Sequence, residues 1–572
     1  MSTRASTKSC RRPNSKVWFS KRYRSGTVAS ARLDKKILSS FDDETLSAIK
    51  GEKLNSTNAG GSNIDSDEGA NVGSAGALGD RTGAGLVGSS GGENLETAGN
   101  GNVGAGKIGV LIGLQIAIFL SAIDQTVLNV AIPKIATLLN DFDRGAWLIT
   151  SYLLFATVTT PVAGKLSDIY GVKPILIVVT LLFGVTSALC GVAGLIDPIF
   201  SLRAMDQLIF FRALQGIAGG AMIGLSFVAV GELFSARERG KYQGLLAAAF
   251  ILAAIIGPVV GGWLVETQSW RYIFYINIPP VVVAAIVFTY TYPKSSRAKA
   301  EALIDYPGIV LFILCIAPLL LASSEIGKTG SVNSTSAIEG TISLISLVAF
   351  LIREKTAAEP LIPLQIFRDR IISISLFTVF VTGIGLFGSM LLIAMMLQTV
   401  LGVSATESGA LLTPLMLVVA GASVAGGIAI AKTGKYKLLI LGSLVLMEIG
   451  TILLGTVNKT TSPAFLLGCA AAGGVGLGLL LPIHSIIIQN FVKGNLMGVA
   501  TSMSQFFRSL GGTLGTGLMS ALMLTLMKQG SLEQAIQAVL SLYAIALAAA
   551  IVANFFLPEI ELRSKEPKSA SA

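Results

Sequence analysis

The chain has 572 residues, 52% of them hydrophobic and 13% charged, with a formal net charge of +10 and a mean hydropathy of +0.71. That is far too apolar for a soluble protein of this length and describes a polytopic membrane protein. The positive charge does not imply nucleic acid, because the basic residues sit mostly in short connections between apolar runs, where they set orientation. Cys10, Cys190, Cys315 and Cys469 show no metal-ligand spacing, and His484 is the single histidine. Both facts argue against a disulfide framework, a zinc site or histidine-based nucleophilic chemistry, so neither a cofactor nor enzymatic activity is expected.

Residues 1–106 are polar, rich in Gly, Ser and Asn, and lack periodic apolar structure. Such a stretch cannot bury enough surface to offset the entropy of ordering, and a disordered cytoplasmic tail is expected. Its first 33 residues are basic and contain no acid. That fits either an organellar transit peptide or a cytosolic tail that touches anionic lipid. Gly101 to Lys107 spell GxxxxGK, but Ile108 stands where a phosphate loop needs Ser or Thr for magnesium, and no strand precedes it. ATP binding there is not expected.

From Lys107 onward, apolar runs fall at 108–130, 146–164, 174–196, 208–230, 243–265, 272–292, 307–323, 337–352, 373–397, 409–430, 437–457, 464–488, 504–526 and 537–557. A bilayer core of about 30 Å at about 1.5 Å per residue asks for about 20 residues, and the runs give about fourteen spans. The eighth is the weakest, being short and carrying Glu339 in its first turn. The charge pattern supports it: with the N-terminus inside, inside connections hold Lys165, Lys173, Arg237, Arg239, Lys432 and Lys493 among many, against a sparser outside set such as Lys134, Arg203 and Lys459. Asn333 and Asn458, in glycosylation sequons, then fall outside. The expected layout is a tail (1–106), a six-helix bundle (107–292), a linker with two extra helices (293–370), a second six-helix bundle (371–558) and a cytoplasmic C-terminal tail (559–572).

The fifth run, Gly244 to Leu264, reads GLLAAAFILAAIIGPVVGGWL. Ala253, Gly257 and Gly261 recur every four residues and form a flat stripe that admits another helix closely, while Pro258 removes a backbone donor and bends the axis. The string GPVVGG, which ends at Gly261 and Gly262 and is followed by WRYIFYINIPP at 270–280, resembles the antiporter signature in the fifth helix of the major facilitator superfamily. It is most similar to the 14-helix drug:proton antiporter branch, the EmrB/QacA type. The resemblance implies an all-α major facilitator fold of two six-helix bundles plus two inserted helices, with Gly257, Pro258, Gly261 and Gly262 serving conformational change.

Ionisable groups at membrane depth each cost about 2.5–3.5 kcal/mol on insertion scales and must be paired or face a wet cavity. Asp124, in LSAIDQTVLNVAIP, is the first. A carboxylate there can exchange a proton near neutral pH, or be held permanently by a neighbour. The segment, with Asn129 beyond the acid, resembles the first-helix motif of the antiporter branch, which favours the proton-exchanging role. Arg212, Gln215, Gly216, Gly219 and Gly220 share one helical face. A guanidinium does not give up its proton, so Arg212 is suited to bias the protonation of an acid. The segment matches the family's fourth-helix motif, and the topology lets Asp124 and Arg212 meet.

The connection GKLSDIYGVK resembles the superfamily's loop between helices two and three, with Gly164, Asp168, Gly171 and Lys173 in place but Ile169 and Val172 where basic residues are usual. The resemblance implies an inside gate locked by charge pairing, here weaker or differently built. Glu448, at mid-span, is either a second proton site or a buried acid bonded to backbone. Arg508 and Gln505 lie in SQFFRSLGGTLGTG, which resembles the family's thirteenth helix and implies an architectural or gating role, and with Asn129 and Gln215 they are also candidates for the substrate cavity. Met390, Met395, Met396 and Phe387 offer an adaptable apolar lining or ordinary core packing.

The expected function is a proton-coupled antiporter that exports small amphiphilic or cationic compounds, with protons, a small-molecule substrate and the lipid bilayer as partners and no obligate protein partner evident. A vacuolar or organellar basic amino acid:proton antiporter is the alternative within the family, and a transporter-like ligand sensor without net flux is the alternative outside it. The plasma membrane is the first expectation, a vacuolar or organellar membrane the second.

Overall fold

The computed structural model describes residues 96–195, 203–293, 304–492, 494–528 and 530–559. The described chain is helical: α1 (Glu96–Leu138), α2 (Trp147–Tyr170), α3 (Val172–Val192), α4 (Ala204–Leu233), α5 (Ala236–Thr267), α6 (Ile278–Thr291, preceded by a helical turn at Tyr272–Tyr275), α7 (Tyr306–Thr329), α8 (Ser334–Thr356), α9 (Arg370–Met395), α10 (Ala405–Thr433), α11 (Lys437–Leu454), α12 (Pro463–Phe491), α13 (Met497–Met527) and α14 (Leu532–Phe555). Among the described residues, 14 helices are long and apolar enough to cross a membrane. In lipid only closed backbone ladders are tolerated, and helices supply them within each segment. α1 starts at Glu96, inside the stretch expected as tail, and its backbone is helical through Gly101–Lys107. The transit-peptide reading and most of the C-terminal tail fall outside the described residues.

Helix ends follow from capping chemistry. Ser235 with Glu238, Ser404 with Glu407 and Ser531 with Gln534 form reciprocal boxes that satisfy the first free N–H groups of α5, α10 and α14. Asn333 caps α8, accepting from Ser336 N at 2.8 Å, so the short eighth run gains a turn at each end. Gly330 and Gly434 close α7 and α10 in the left-handed region. At Gly171, φ is 85°, which lets α2 pass into α3 without an intervening loop.

Alternating crossings place the connections α2–α3, α4–α5, α6–α7, α8–α9, α10–α11 and α12–α13 at one end, called the basic end for its lysines and arginines. Helices α1–α6 share two apolar cores, around Leu114, Phe183 and Phe288 and around Leu128, Leu208 and Phe274. Helices α9–α14 share another, around Tyr436, Leu444, Ile483 and Leu547. The inserted pair α7–α8 docks on α13, where the Phe312 ring lies 5.5 Å from Phe350 and 5.4 Å from Phe506. At the basic end Asp305 caps α7 and pairs with Arg353 of α8, and the Glu354 carboxylate accepts Leu361 N and Ile362 N. Glu359, beyond α8, bonds Lys165 of α2 at 3.0 Å. At the other end Arg144 bonds both Asp141 and Asp206. The Arg144 guanidinium donating to Asp141 holds that carboxyl below its ordinary value of 3.8, so this contact is fully charged above that pH and is lost only as pH falls below it.

α1 and α5 approach closely along the small-residue stripe. A Cβ on Gly257 would collide with Thr126 Oγ1, and one on Gly261 would press on Val127 O. Thr126 Oγ1 donates across this seam to Ala253 O at 3.1 Å. Replacing Gly257 or Gly261 by Val is expected to leave hydropathy and insertion intact while holding the helices apart, with exchange activity abolished and thermal stability in detergent reduced. Wild-type transport by reconstituted Gly257→Val would refute the close-packing role.

Candidate functional site

Four helices and the α6 lead-in converge on Asp124. Arg212 Nη1 donates to Asp124 Oδ2 at 2.5 Å, while Gln215 Nε2 and Asn277 Nδ2 donate to Oδ1 at 3.0 and 2.9 Å. Arg212 also donates through Nη1 to Gln215 Oε1 (2.8 Å) and through Nε to Leu148 O (3.2 Å). Its guanidinium carbon lies 4.4 Å from the centroid of the Tyr152 ring, and the Tyr152 hydroxyl bonds Ser121 Oγ at 2.9 Å. Ser187 accepts from Gln215 and Asn277 and donates to Phe274 O.

The whole assembly is sealed: Asp124 is 3% exposed and Arg212 1%. Every helix contributes for a local reason. Arg212 and Gln215 are three residues apart on α4 and so face one way. Gly216 and Gly219 let α4 lie against Tyr152 of α2, since a Cβ at either would collide with that residue. Asn277 is held at the mouth of α6 by the Ile278-Pro-Pro start. The result is a carboxylate with both oxygens saturated by N–H donors and a guanidinium with a cation-binding ring beside it. Such a carboxylate can release its grip on two other helical segments at once by taking up one proton.

Among the residues expected at the site, the structure brings Asp124, Arg212 and Gln215 together. Asn129 is exposed on α1, one turn beyond. Glu448, Gln505 and Arg508 belong to the other bundle and make no bond to this cluster. Asn277, Ser187 and Tyr152 escaped the sequence reading. Asn277 stood within the quoted WRYIFYINIPP as its one amide, which was the available signal; Ser187 and Tyr152 had none.

The second group lies at the basic end. Asp168 accepts Gly498 N at 2.7 Å and Val499 N at 2.9 Å, so its carboxylate caps the N-terminus of α13 across the two bundles. Gly164 sits at the crossing itself, where a Cβ would strike Ser502 Oγ and Gly498 O. Lys173 donates to Thr289 O and Tyr292 O at the end of α6. The contacts of this loop thus include backbone groups, held by Asp168 and Lys173, and one charge pair, Lys165 with Glu359. A parallel crossing joins α5 to α10 and α12: Gln243 Nε2 donates to Gln489 Oε1 at 2.7 Å, and Gly240 abuts the backbone of Gly427. The basic end is closed.

In the second bundle, Gly385, Met390, Met416, Val419, Met447, Leu477 and Tyr543 are among the walls of an apolar cleft holding about 540 Å³ of empty space, its open mouth included. Met396 is buried in the core behind it and Phe387 lies over Gly512 of α13, so of the four residues expected as lining only Met390 faces the cleft.

The family model of the Major Facilitator Superfamily matches residues 114–516 and again 376–571. The chain is 37% identical over 415 residues to the multidrug transporter protein MdtP of Bacillus subtilis, covering 72% of this chain and 75% of that one. It is 33% identical over 411 residues to multidrug resistance protein 3 of the same organism, covering 71% and 77%. The fold is also that of the proton:xylose symporter XylE, with a TM-score of 0.58 and 16% identity over 79% of this chain and 96% of that one. Fold, membrane-length helices and sequence agree: the chain belongs to the Major Facilitator Superfamily and is an integral, multi-pass membrane transporter.

Proposed function

We propose that the protein is a proton-coupled antiporter of the 14-helix drug:proton branch, exporting small amphiphilic compounds. The observation that carries this reading is the sealed carboxylate of Asp124, held by donors from α4 and from the α6 lead-in. The relatives named as multidrug transporter and multidrug resistance protein support export of this kind.

Charged Asp124 cross-links α1 to α4 and to the start of α6. A proton delivered to it cancels the ion pair and converts one acceptor oxygen into a donor facing the N–H groups of Gln215 and Asn277. The bonds that fixed the helices then repel, and the bundle is free to rearrange. Arg212 keeps its charge throughout and, in the next half-cycle, favours loss of the proton. Tyr152 and Cys190 are the other titratable groups beside the pair, both sealed. Opening the basic end requires Asp168 to leave the α13 N-terminus, so the two carboxylates mark the two movements of one cycle.

Four outcomes test this. Transport into vesicles collapses when a protonophore dissipates the gradient and persists without ATP when a pH step is imposed; accumulation without any ion gradient would refute coupling. Asp124→Asn abolishes proton-driven accumulation while retaining substrate binding. Arg212→Ala leaves the Asp124 carboxylate without its cation and abolishes proton-driven accumulation, part of which Arg212→Lys retains; wild-type accumulation by Arg212→Ala would make the pair purely structural. For the gate, Asp168→Ala removes two charge-assisted bonds, each about 1.5–3 kcal/mol. In a background without native cysteines, a cysteine at Ser502 then reacts with maleimide at least about tenfold faster than with Asp168 present. Equal rates would show that Asp168 does not hold the basic end shut.

A further inference from the structure

The two bundles treat their buried arginines differently. In the first, Arg212 is matched by Asp124. In the second, Arg508 of α13 has no carboxylate partner among the described residues. Its Nη1 donates to Gln505 Oε1 at 3.2 Å and its Nη2 to Leu481 O of α12 at 3.1 Å, while its buried Nε has no partner. Beside it, Gln505 is 6% exposed and leaves Nε2 unbonded. His484, three residues beyond Leu481 and so on the same side of α12, is 1% exposed and leaves both ring nitrogens unbonded.

A guanidinium has five N–H donors, and only two are used here. The amide of Gln505 and an imidazole add to the surplus. Buried donors without acceptors are costly, and an unmatched cation at membrane depth more so, which makes this cluster short of one anion.

The cluster adjoins the apolar cleft. Leu481, whose carbonyl Arg508 holds, packs with Val419 of the cleft wall. Leu477, another wall residue, stands four positions earlier on the same face of α12, about 6 Å along the axis. On α9, Gly383 touches the Arg508 backbone and Gly385 lines the cleft. The polar cluster therefore sits beside the apolar wall along α9 and α12, its own side chains lying behind the cleft lining.

From this juxtaposition we infer that Arg508, Gln505 and His484 receive the acidic head of an amphiphilic ligand, with its apolar body in the cleft lined by Met416, Val419 and Leu477. A carboxylate is the head that fits, because the fork of Nε and Nη presents two parallel donors to a planar acceptor. This names a substrate class for the export reading and rests on it for transport, though not for binding. The competing ligand is a cation: Glu448, on α11 next to the wall residue Met447, keeps one buried carboxylate oxygen unbonded.

The test is equilibrium binding to the full chain in lipid nanodiscs, without any gradient, using three probes with one aromatic body: 1-naphthaleneacetate, its neutral amide and 2-(1-naphthyl)ethylamine. The acid is expected to bind at least about tenfold more tightly than the amide, an advantage lost in Arg508→Gln and partly regained in Arg508→Lys. Gln505→Leu and His484→Leu each weaken the acid alone, whereas Val419→Phe fills the cleft and weakens acid and amide together; these three carry the test if Arg508→Gln does not fold. Equal affinity for acid and amide, or acid binding unchanged across the variants, overturns the assignment. Tightest binding of the amine, lost in Glu448→Gln, gives the cleft to cations and overturns it equally. Because no flux is measured, a failure of proton-driven export leaves these affinities untouched, and the two readings fail separately.

Discussion

A charge buried at membrane depth needs a partner, and in the first bundle that requirement is met by Asp124 and Arg212 meeting across α1 and α4. Neither residue reaches the other unless α4 lies against α2, which the glycines at 216 and 219 permit, and unless the Ile278-Pro-Pro start aims Asn277 inward. The small-residue faces of α4 and α5 are thus two parts of one solution. Each lets a helix come near enough for a polar contact that lipid would otherwise make costly. Removing Asp124 leaves a buried charge alone; protonating it leaves the same guanidinium charge but keeps a side chain that can still hydrogen-bond its neighbours, so the network tolerates protonation better than truncation.

The basic end uses a different economy. Asp168 lies against the first N–H groups of α13, where the helix dipole and two backbone donors favour its negative charge. Lys173 does the reverse, donating to carbonyls at the end of α6. Ile169 and Val172 stand where basic side chains are usual, while Asp168 and Lys173 of the same loop bond backbone groups and Lys165 pairs with Glu359. Backbone partners move only when the whole helix moves, so such a lock couples gate opening to rigid-body motion of α13.

The spans themselves were readable because apolar length is the strongest signal a chain carries. Their ends were less so. α13 begins at Met497, seven residues before the run that marked it, because Thr501, Ser502 and Ser504 read as polar yet are buried against other helices. Asp124, Arg212 and Gln215 stood out as polar groups in apolar runs. Ser187, Tyr152 and Asn277 did not, for their roles depend on contacts such as Asn277 to Asp124, 153 residues apart, which no local pattern encodes. The partners of Asp168 were hidden for the same reason: a backbone N–H has no letter in the sequence.

Arg508 has one more consequence, which concerns the membrane potential. A fixed positive charge that bonds no carboxylate among the described residues is acted on by the field whenever its helix shifts between the two sides, at up to about 2.3 kcal/mol per unit charge for a full crossing at 100 mV. In the first bundle the ion pair is a dipole of no net charge and feels little of this. The unloaded second bundle, by contrast, carries an unpaired guanidinium on α13 that biases it electrically. Its resting orientation follows the polarity of the membrane, and any anion that settles on Arg508 cancels the bias and makes the loaded passage electrically silent.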